Sequence, residues 1–456
     1  MHIQKTAIFT LVIILISFFT NTVSAAVTYE PENTTINSES AYMVNLDTDT
    51  PIYAKNKDQL LCPASLTKIM TATLVLETLT DEQLNKKIVC PTSIMTDSYW
   101  IESQASLSGF LPGEEVRIFD LLVALLLQSA CEIGDVLGDY IGREIYGGDI
   151  QTFIEKMNIK AKELGCENTH FANTHGLHDD NQYSTAYDIY LITEHALDLP
   201  RFKEIVKEPV WEVAPTNLTP ENKKLIHTHK MLASSSDFYY KPALGIKTGT
   251  TDENTQNLAT LAEQDGFTYL LIVMGGLDRD ESGVRTQTVF RDSINLLKWA
   301  FNYFDIRNVL ETTTLVAGVP VRLSAIKDQV IAQPAEDISV LMPENIELSS
   351  IQQIPHVPKF LDAPIKQGDK IGTLELKLKD EVLVTVDLVA SETIERSTFL
   401  YILDQVKKFF TQPMIQIGLI VLAVLIFLYI IITAIYNHKR KSVKFQYSSV
   451  KKQKKK

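Results

Sequence analysis

Ser65 and Lys68 lie three positions apart in the segment 63–72, which reads PASLTKIMTA. Residues at i and i+3 share one face of a helix, so the lysine amine can reach the serine hydroxyl. A buried lysine has a lowered pKa and can then accept the hydroxyl proton. If the helix begins at the serine, its free backbone N–H groups also face developing negative charge. The pair predicts a nucleophilic serine activated by a lysine base, but such a pair arises by chance roughly once or twice in a chain of this length.

Two further segments follow the serine–lysine pair along the chain. Lys247-Thr248-Gly249 comes after a strand-like run, and at a strand end it would present a cation, a hydroxyl and a glycine that lets a substrate backbone approach. Ser129-Ala130-Cys131 ends an apolar helical run and by itself indicates nothing. Ser129 lies 64 positions after Ser65, and Lys247 lies 118 positions after Ser129. The order of the three segments is more informative than any one of them.

In this order the segments resemble the penicillin-binding serine acyltransferases. The closer resemblance is to the D-alanyl-D-alanine carboxypeptidases that carry a C-terminal β-domain and membrane anchor. FANTHGL at 171–177, STAYDI at 184–189, GIKTGTTDE at 245–253 and VAGVPVRL at 316–323 all stand in the family's order. The resemblance implies an α/β (α+β) fold of the penicillin-binding-protein and β-lactamase-like transpeptidase type, followed by a small all-β sandwich.

The resemblance also implies catalytic roles for three residues. Ser65 is expected to attack the penultimate D-alanine carbonyl of a peptidoglycan stem peptide, and Lys68 to accept its proton. Ser129 would relay a proton to the departing D-alanine, after which water hydrolyses the acyl-enzyme. The family needs no metal or cofactor, and β-lactam antibiotics are its covalent inhibitors.

The substrate-binding roles that the resemblance implies fall mainly on one strand. Lys247 and Thr248 are expected to bind the terminal carboxylate, beside Gly249. The backbone N–H groups of Ser65 and Thr250 would form the oxyanion hole.

Two positions depart from the family pattern. Cys131 stands where the family usually has asparagine, and a thiol is a weaker hydrogen-bonding group than an amide. Val289 aligns with an arginine that helps to hold the carboxylate, although Arg285 or Arg291 is a possible substitute. These departures predict reduced activity or an altered substrate.

Two other functions remain open at this point. An inactive relative would bind stem peptides or organise cell-wall proteins. A class A-like β-lactamase is faintly indicated by Glu194–Asp198, which lies too far from Ser129 and is read as an ordinary helix end. His170, His175 and His178 are close together but lack metal-ligand spacing, so they are interpreted as polar loop residues.

Alternating strand-like and helix-like runs predict a mixed domain from Ala41 to about Ile306. A hairpin is expected at Ala41–Asn45 and Ile52–Ala54. Apolar periodicity predicts the other elements. The helices are Leu66–Leu79, Phe119–Leu127, Ile150–Leu164, Ala186–Leu197 and Val289–Phe304, and the strands are Leu258–Ala262 and Tyr269–Gly275.

Beyond Asn308 the pattern becomes all-β, with short apolar runs between Pro, Gly and Asp turns. The predicted strands are Thr314–Val321, Val330–Ala332, Ile338–Leu341, Leu374–Leu378 and Val382–Leu388. The predicted organisation is a signal peptide (1–25), a catalytic domain (26–306), a β-sandwich (307–392), an amphipathic linker helix (393–413), a transmembrane helix (414–436) and a basic tail (437–456).

Charge is distributed unevenly along the 456 residues. The whole chain has a net charge of −13, but residues 26–413 hold 33 basic and 56 acidic residues, a net charge of −23. The last twenty residues hold nine Lys or Arg and no acidic residue. An acidic body excludes a nucleic-acid-binding domain, which would need a cationic surface.

Both ends of the chain predict membrane targeting. Lys5, an apolar run and the small residues Val23-Ser24-Ala25 indicate a cleaved signal peptide. The chargeless segment 414–436 is long enough to cross a bilayer, and the basic residues after it predict a cytoplasmic C-terminus. The catalytic body is therefore expected outside the cell membrane. Four cysteines in such a body permit disulfides, but buried thiols are equally compatible with the sequence.

Overall fold

A computed structural model describes residues 29–31, 34–251, 254–379 and 381–453. The predicted signal peptide (1–25) lies outside these residues. The chain forms two compact units: one extends up to Arg307 and includes Val340–Glu347, and the other comprises Asn308–Ser339 and the residues from Leu348 onward.

The first unit contains ten α-helices among the described residues. They are α1 (Thr67–Thr78), α2 (Asp81–Leu84), α3 (Thr92–Met95), α4 (Tyr99–Glu102), α5 (Ile118–Leu127), α6 (Cys131–Glu144), α7 (Ile150–Glu163), α8 (Ala186–Leu197), α9 (Pro200–Val206) and α10 (Thr288–Tyr303). Every residue of α5 is buried, as its continuous apolar run predicts. The five predicted helices are confirmed, with ends that differ by a few residues.

Helix α6 was not predicted. Its sequence contains glycine at positions 134, 138 and 142, and glycine lowers helix propensity by about 1 kcal/mol per residue. Tertiary contacts require these small residues. A Cβ at Gly134 would lie 2.8 Å from Thr174 Oγ1, and one at Gly142 would lie 2.0 Å from the carbonyl oxygen of Asp149. Close packing therefore outweighs the local propensity.

The main sheet of the first unit has five antiparallel strands in the order β2-β1-β9-β8-β7. The strands of the first unit are β1 (Ser40–Asn45), β2 (Thr50–Lys55), β3 (Lys87–Val89), β4 (Glu115–Arg117), β5 (Val210–Val213), β6 (Lys223–Ile226), β7 (Ala243–Thr250), β8 (Thr255–Gln264) and β9 (Phe267–Leu277). The predicted hairpin and both predicted strands are confirmed. Two small two-stranded antiparallel sheets, β3-β4 and β5-β6, are separate from the main sheet.

Alternate residues of β9 point to opposite faces of the main sheet, and each face is covered by helices. Leu270 and Ile272 belong to the larger hydrophobic core, which also contains the buried residues of α1 and α5. Leu271 and Val273 belong to a second core with the apolar face of α10. The sheet is thus the middle layer of a three-layer α/β/α arrangement, and α1 lies in the larger of the two cores.

The second unit is largely all-β, as predicted. Its strands and those at its boundary are β10 (Phe304–Leu310), β11 (Ala317–Arg322), β12 (Gln329–Pro334), β13 (Ile338–Pro343), β14 (Ile351–His356), β15 (Leu361–Asp362), β16 (Lys370–Leu378) and β17 (Glu381–Ala390). Six of them form a sheet in the order β14-β16-β17-β12-β11-β15, and β10 pairs with β13 in a separate two-stranded sheet. Strand β14 was not predicted because it is mostly polar and contains a proline, which restricts it to a sheet edge.

Two helices follow the β-strands. Helix α11 (Thr398–Thr411) lies within the predicted linker, and α12 (Pro413–Gln453) begins at a proline, a favoured first helical residue. Residues Pro413–Arg440 of α12 are long and apolar enough to cross a membrane. This helix contains the predicted span and continues into the basic segment.

Candidate active site

Ser65 lies in a single 3₁₀ turn, Ala64–Leu66, that leads directly into α1. Ala64 has a φ of 47°, a left-handed conformation that is strained for a residue with a Cβ. The strained turn precedes the helix, so α1 begins two residues after Ser65. Ser65 itself is half-buried and borders an open cleft.

Lys68 is completely buried, and its amine donates three hydrogen bonds. Its Nζ lies 2.9 Å from Ser65 Oγ and 3.4 Å from Cys131 Sγ, and it also donates to the carbonyl oxygen of His175. These three acceptors come from different parts of the chain. They fix the amine beside the serine hydroxyl, as the i, i+3 spacing predicts.

Ser129 lies in the connection between α5 and α6, and Cys131 is the first residue of α6. Ser129 has a φ of 62° and is buried, so the backbone there is also strained. The N–H of Cys131 donates to the carbonyl oxygen of Ser106 at 2.8 Å, and its thiol contacts the carbonyl oxygen of Ser129 at 3.7 Å. Both residues line the same cleft as Ser65.

Lys247, Thr248 and Gly249 lie near the end of β7. Lys247 is completely buried and donates to the carbonyl oxygen of Thr248 at 2.9 Å. Burial, and then the charge of Lys68, hold the pKa of Lys247 well below its usual range. Thr248 Oγ1 lies 2.7 Å from Thr228 Oγ1, and the cleft exposes Thr248 together with Gly249 and Thr250.

The β7 strand approaches the Ser65 turn very closely. A Cβ on Gly249 would lie 3.3 Å from the backbone nitrogen of Ser65 and 3.2 Å from the Cβ of Ala64. Asn257 on β8, which is buried, donates from Nδ2 to the carbonyl oxygens of Cys62 and Pro63 at 2.9 and 3.1 Å. The sheet therefore holds the serine turn through a glycine and an asparagine. Asn257 was not identified from the sequence, where its one signal is an amide inside a buried strand.

His175 lies in a bend between α7 and α8, which agrees with its interpretation as a loop residue. His175 is buried beside α1, and its carbonyl oxygen accepts from Lys68. Burial and the charge of Lys68 lower the pKa of its imidazole to about 3. Nearby, burial raises the pKa of Asp135, which accepts from Thr174 Oγ1 at 2.6 Å, to about 6. His170 and His178, the other two histidines interpreted as polar loop residues, are exposed.

The cleft has a volume of about 990 Å³ and collects most of the predicted site residues. Ser65, Ser129, Cys131 and residues 248–250 line it, and the two lysines are buried behind them. Val289 and Arg285 also line the cleft, whereas Arg291 lies exposed on α10.

In the part of the chain that the structure describes, no metal site is found, and Glu194 does not border the cleft. Within the described residues there is no group of three or more His, Cys, Asp or Glu side chains that could hold a metal ion. Glu194 lies in α8, where it accepts from the hydroxyl of Tyr190 at 2.6 Å, and it is not among the residues that line the cleft. Cys90, Cys131 and Cys166 are buried free thiols.

The chain is similar to proteins of known class along most of its length. Residues 25–277 match the family described as D-alanyl-D-alanine carboxypeptidase, and residues 307–396 match the C-terminal domain of penicillin-binding protein 5. D-alanyl-D-alanine carboxypeptidase DacF of Bacillus subtilis is 28% identical over 373 residues, which cover 81% of this chain and 88% of that protein. The Escherichia coli carboxypeptidase DacC is also 28% identical, over 75% of this chain and 81% of its own length.

Solved structures share the fold. Penicillin binding protein 5 from Haemophilus influenzae superposes with a TM-score of 0.60 at 24% identity, covering 80% of this chain and 99% of that one. A Streptomyces DD-transpeptidase has a TM-score of 0.52 at 27% identity, and the match covers 59% of this chain and 98% of that one. One solved variant of that enzyme replaces a serine by alanine, and another replaces the cysteine two positions later by asparagine. This chain belongs to the D-alanyl-D-alanine carboxypeptidase family.

Proposed function

We propose that the chain is a serine-type carboxypeptidase that removes the terminal D-alanine from peptidoglycan stem pentapeptides through an acyl-enzyme on Ser65. The observation that carries this proposal is the 2.9 Å contact between Lys68 Nζ and Ser65 Oγ at the wall of an open cleft. A nucleophile and a base within hydrogen-bond reach are the minimum that acyl transfer requires.

In the proposed acylation, Lys68 accepts the proton of Ser65 as Oγ attacks the penultimate D-alanine carbonyl carbon. The backbone N–H groups of Ser65 and Thr250 stabilise the oxyanion. The tetrahedral intermediate then collapses, the C–N bond breaks, and Ser129 relays a proton to the departing amine. The 2.9 Å contact between Lys68 Nζ and Ser65 Oγ supports this scheme, because it places the amine within reach of the hydroxyl proton.

In the proposed deacylation, water attacks the ester carbonyl carbon of the acyl-enzyme. The C–O bond to Ser65 breaks, Ser65 recovers its proton, and the shortened peptide leaves with a free carboxylate. Lys247 and Thr248, with Gly249 beside them, hold the terminal carboxylate during the first half of the reaction. No metal or cofactor takes part in the proposed cycle.

Cys131 is compatible with this activity. A thiol in place of an amide weakens one hydrogen bond, which would cost on the order of 1–3 kcal/mol, or roughly ten- to a hundredfold in rate. The two solved variants of the Streptomyces DD-transpeptidase change a serine and a cysteine with the spacing of Ser129 and Cys131. The shared spacing favours a second candidate function, transfer of the acyl group to an amine instead of water.

We further propose that the catalytic body lies outside the cell membrane and the basic tail in the cytoplasm. The apolar part of α12 and the cations that follow it support this orientation. The substrate, peptidoglycan, lies on the same side as the proposed body. In intact cells, an added protease should digest the body but leave the segment 437–456 protected, and the mature N-terminus should be Ala26. Digestion of the tail in sealed cells would reverse the proposed orientation.

A fluorescent penicillin and a D-alanine assay test the proposed function on the full-length protein in detergent. We expect one stable label per chain, absent in Ser65→Ala and retained in Ser103→Ala, another serine of the cleft. D-alanine should be released from a pentapeptide at a rate that also depends on Ser65. Label in the Ser65→Ala variant would contradict the acyl-enzyme.

The same two assays separate the remaining alternatives. Stable label without D-alanine release would indicate a binding or scaffold protein. Rapid turnover of the penicillin would indicate a β-lactamase. D-alanine release that yields a new peptide bond when an amine acceptor is added would indicate a transpeptidase.

A further inference from the structure

The cleft extends beyond Thr250 across the ends of the neighbouring strands. Thr250 pairs with Gln256 on β8, and Gln256 pairs with Gly276 on β9. Asp278 follows immediately after β9 and lines the cleft. We call this region the far end of the cleft. It lies next to the start of β8 and the end of β9.

Charged side chains gather at this far end. Arg285 Nε lies 3.4 Å from Asp278 Oδ1 and 3.5 Å from Oδ2, longer than the roughly 2.7–2.9 Å of a strong charge-assisted hydrogen bond. Lys230 also lines the cleft, and burial, followed by the charge of Arg285, lowers its pKa. Arg279 lies 3.8 Å from Asp278 but donates to the carbonyl oxygen of Gly283 and is not among the lining residues. At this far end two cations, Lys230 and Arg285, therefore lie near the carboxylate of Asp278, while a second carboxylate of the cleft lining belongs to Glu102.

Two buried amides at the far end lack hydrogen-bond partners. Gln287 Nε2 and Gln256 Oε1 are each without a partner in the described structure, and the residues are 4% and 9% exposed. Both residues line the cleft. A buried polar group without a partner is energetically costly. Gln287 Nε2 can therefore donate a hydrogen bond to a ligand, and Gln256 Oε1 can accept one.

Val289 is an uncharged residue that also lines the cleft. It is buried, and its side chain packs where a Cβ on Gly276 would lie 2.6 Å from Val289 Cγ1. By the family resemblance this position would carry an arginine that holds the terminal carboxylate. The valine supplies no charge, while Arg285, four residues earlier, faces the same cleft.

We infer that the terminal carboxylate of the peptide is bound in this chain by Arg285, with Lys230 and the side-chain N–H of Gln287, in place of an arginine at position 289 and in addition to Lys247 and Thr248. This inference rests on the proposed function, since it assigns the recognition of that reaction's leaving residue. Asp278 orients the guanidinium, and the loose contact between them allows Arg285 to turn toward the ligand. Arg285 is a specificity residue at a position that the family pattern does not mark.

Arg285→Gln, in the full-length protein in detergent, tests the inference. With a D-alanyl-D-alanine pentapeptide we expect kcat/KM to fall about ten- to a hundredfold, mainly through KM, because one charge-assisted interaction is lost. With a pentapeptide whose terminal carboxylate is a carboxamide, the wild type and the variant should differ less than twofold. Arg291→Gln, on the exposed face of α10, is the matched control and should equal the wild type with both peptides.

A second variant supplies a positive readout. Val289→Arg placed in the Arg285→Gln background should recover at least part of the lost kcat/KM, because it returns a cation to the same cleft. An Arg285→Gln variant that matches the wild type with the carboxylate peptide would overturn the inference. So would an equal loss with the carboxamide, which would mean a structural role for Arg285.

The stoichiometry of penicillin labelling after long incubation distinguishes the two proposals. Full labelling of wild type and Arg285→Gln shows that Ser65 is competent, so a missing Arg285 effect then counts against this inference alone. No labelling and no D-alanine release in the wild type would instead count against the proposed function.

Discussion

Lys68 Nζ lies 2.9 Å from Ser65 Oγ while the lysine side chain is completely buried. The amine is held there by the carbonyl oxygen of His175 and by the thiol of Cys131, which come from two distant segments. Because the lysine side chain is completely enclosed, its amine stays beside the serine hydroxyl and does not reach solvent. The contact links the local helix spacing to the tertiary packing around it.

Lys68→Ala should slow acylation by a labelled penicillin about a hundred- to ten-thousandfold, the usual contribution of a general base. The protein should remain folded, because the lost contacts are confined to three acceptors at one site. Stopped-flow labelling measures the rate, and a cooperative thermal transition checks folding. Lys241→Ala, at an exposed lysine before β7, should label at the wild-type rate. Wild-type labelling by Lys68→Ala would show that another group deprotonates Ser65.

Cys131→Asn should raise the rate of D-alanine release by up to roughly ten- to a hundredfold, because an amide donates and accepts stronger hydrogen bonds than a thiol. Release from a pentapeptide under saturating conditions measures the effect. Cys90→Ser, which changes another buried thiol outside the cleft, is the control and should leave the rate unchanged. An unchanged or lower rate in Cys131→Asn would mean that the site has adapted around the thiol.

Gly176→Ala should destabilise the protein far more than Gly147→Ala. Both glycines have a positive φ, 86° and 71°, so both substitutions strain the backbone by about 1 kcal/mol. A Cβ on Gly176 would also lie 1.9 Å from the carbonyl oxygen of Ala64, whereas one on Gly147 would meet no atom within 4 Å. Urea denaturation compares the free energies of unfolding.

Gly176→Ala should also slow penicillin acylation, because the clash displaces the turn that carries Ser65. Gly147→Ala should acylate normally. Equal free energies of unfolding in the two variants would show that the Ser65 turn can shift without a loss of stability.

His229→Gln should make the free energy of unfolding depend less on pH below about pH 6.5. Burial lowers the pKa of His229 to about 3, whereas an unfolded histidine titrates near 6.5. Below about pH 6.5 the unfolded state therefore binds a proton that the folded state does not, so stability falls as pH decreases toward 3. Between pH 8 and pH 5 the wild type should lose about 2 kcal/mol more than His229→Gln.

Urea unfolding at the two pH values in detergent measures the difference between wild type and His229→Gln. His178→Gln, at an exposed histidine, should retain the wild-type slope. An unchanged slope in His229→Gln would mean that this histidine accepts its proton in the folded protein.

Strongly apolar elements were predictable from local sequence. Helix α5 and strand β9 are buried on all or nearly all sides, so their apolar runs are visible without any tertiary knowledge. Helix α6 and strand β14 were missed for opposite reasons. The glycines of α6 lower its helix propensity and are required by close packing, while β14 is an edge strand with few apolar residues to reveal it.

The residue types at the site were also predictable, but their supports were not. Ser65, Lys68 and Lys247 are identified by spacing and order, which are properties of the chain itself. Asn257 holds the serine turn through two hydrogen bonds that span 195 and 194 residues, and His175 holds the lysine through one that spans 107 residues. Contacts over such separations leave no periodic signal in the sequence.

The sequence by itself determined the family, the serine–lysine spacing and the acidic body with its apolar, basic end, because each depends on residue types and their order. The tertiary structure decided which arginine faces the cleft, since Arg285 lies in a loop and Arg291 on the outer face of a helix. It also decided that Lys68 and Lys247 are both completely buried behind the residues that line the cleft. Burial and proximity arise when distant segments pack together, and they set the electrostatics on which the chemistry depends.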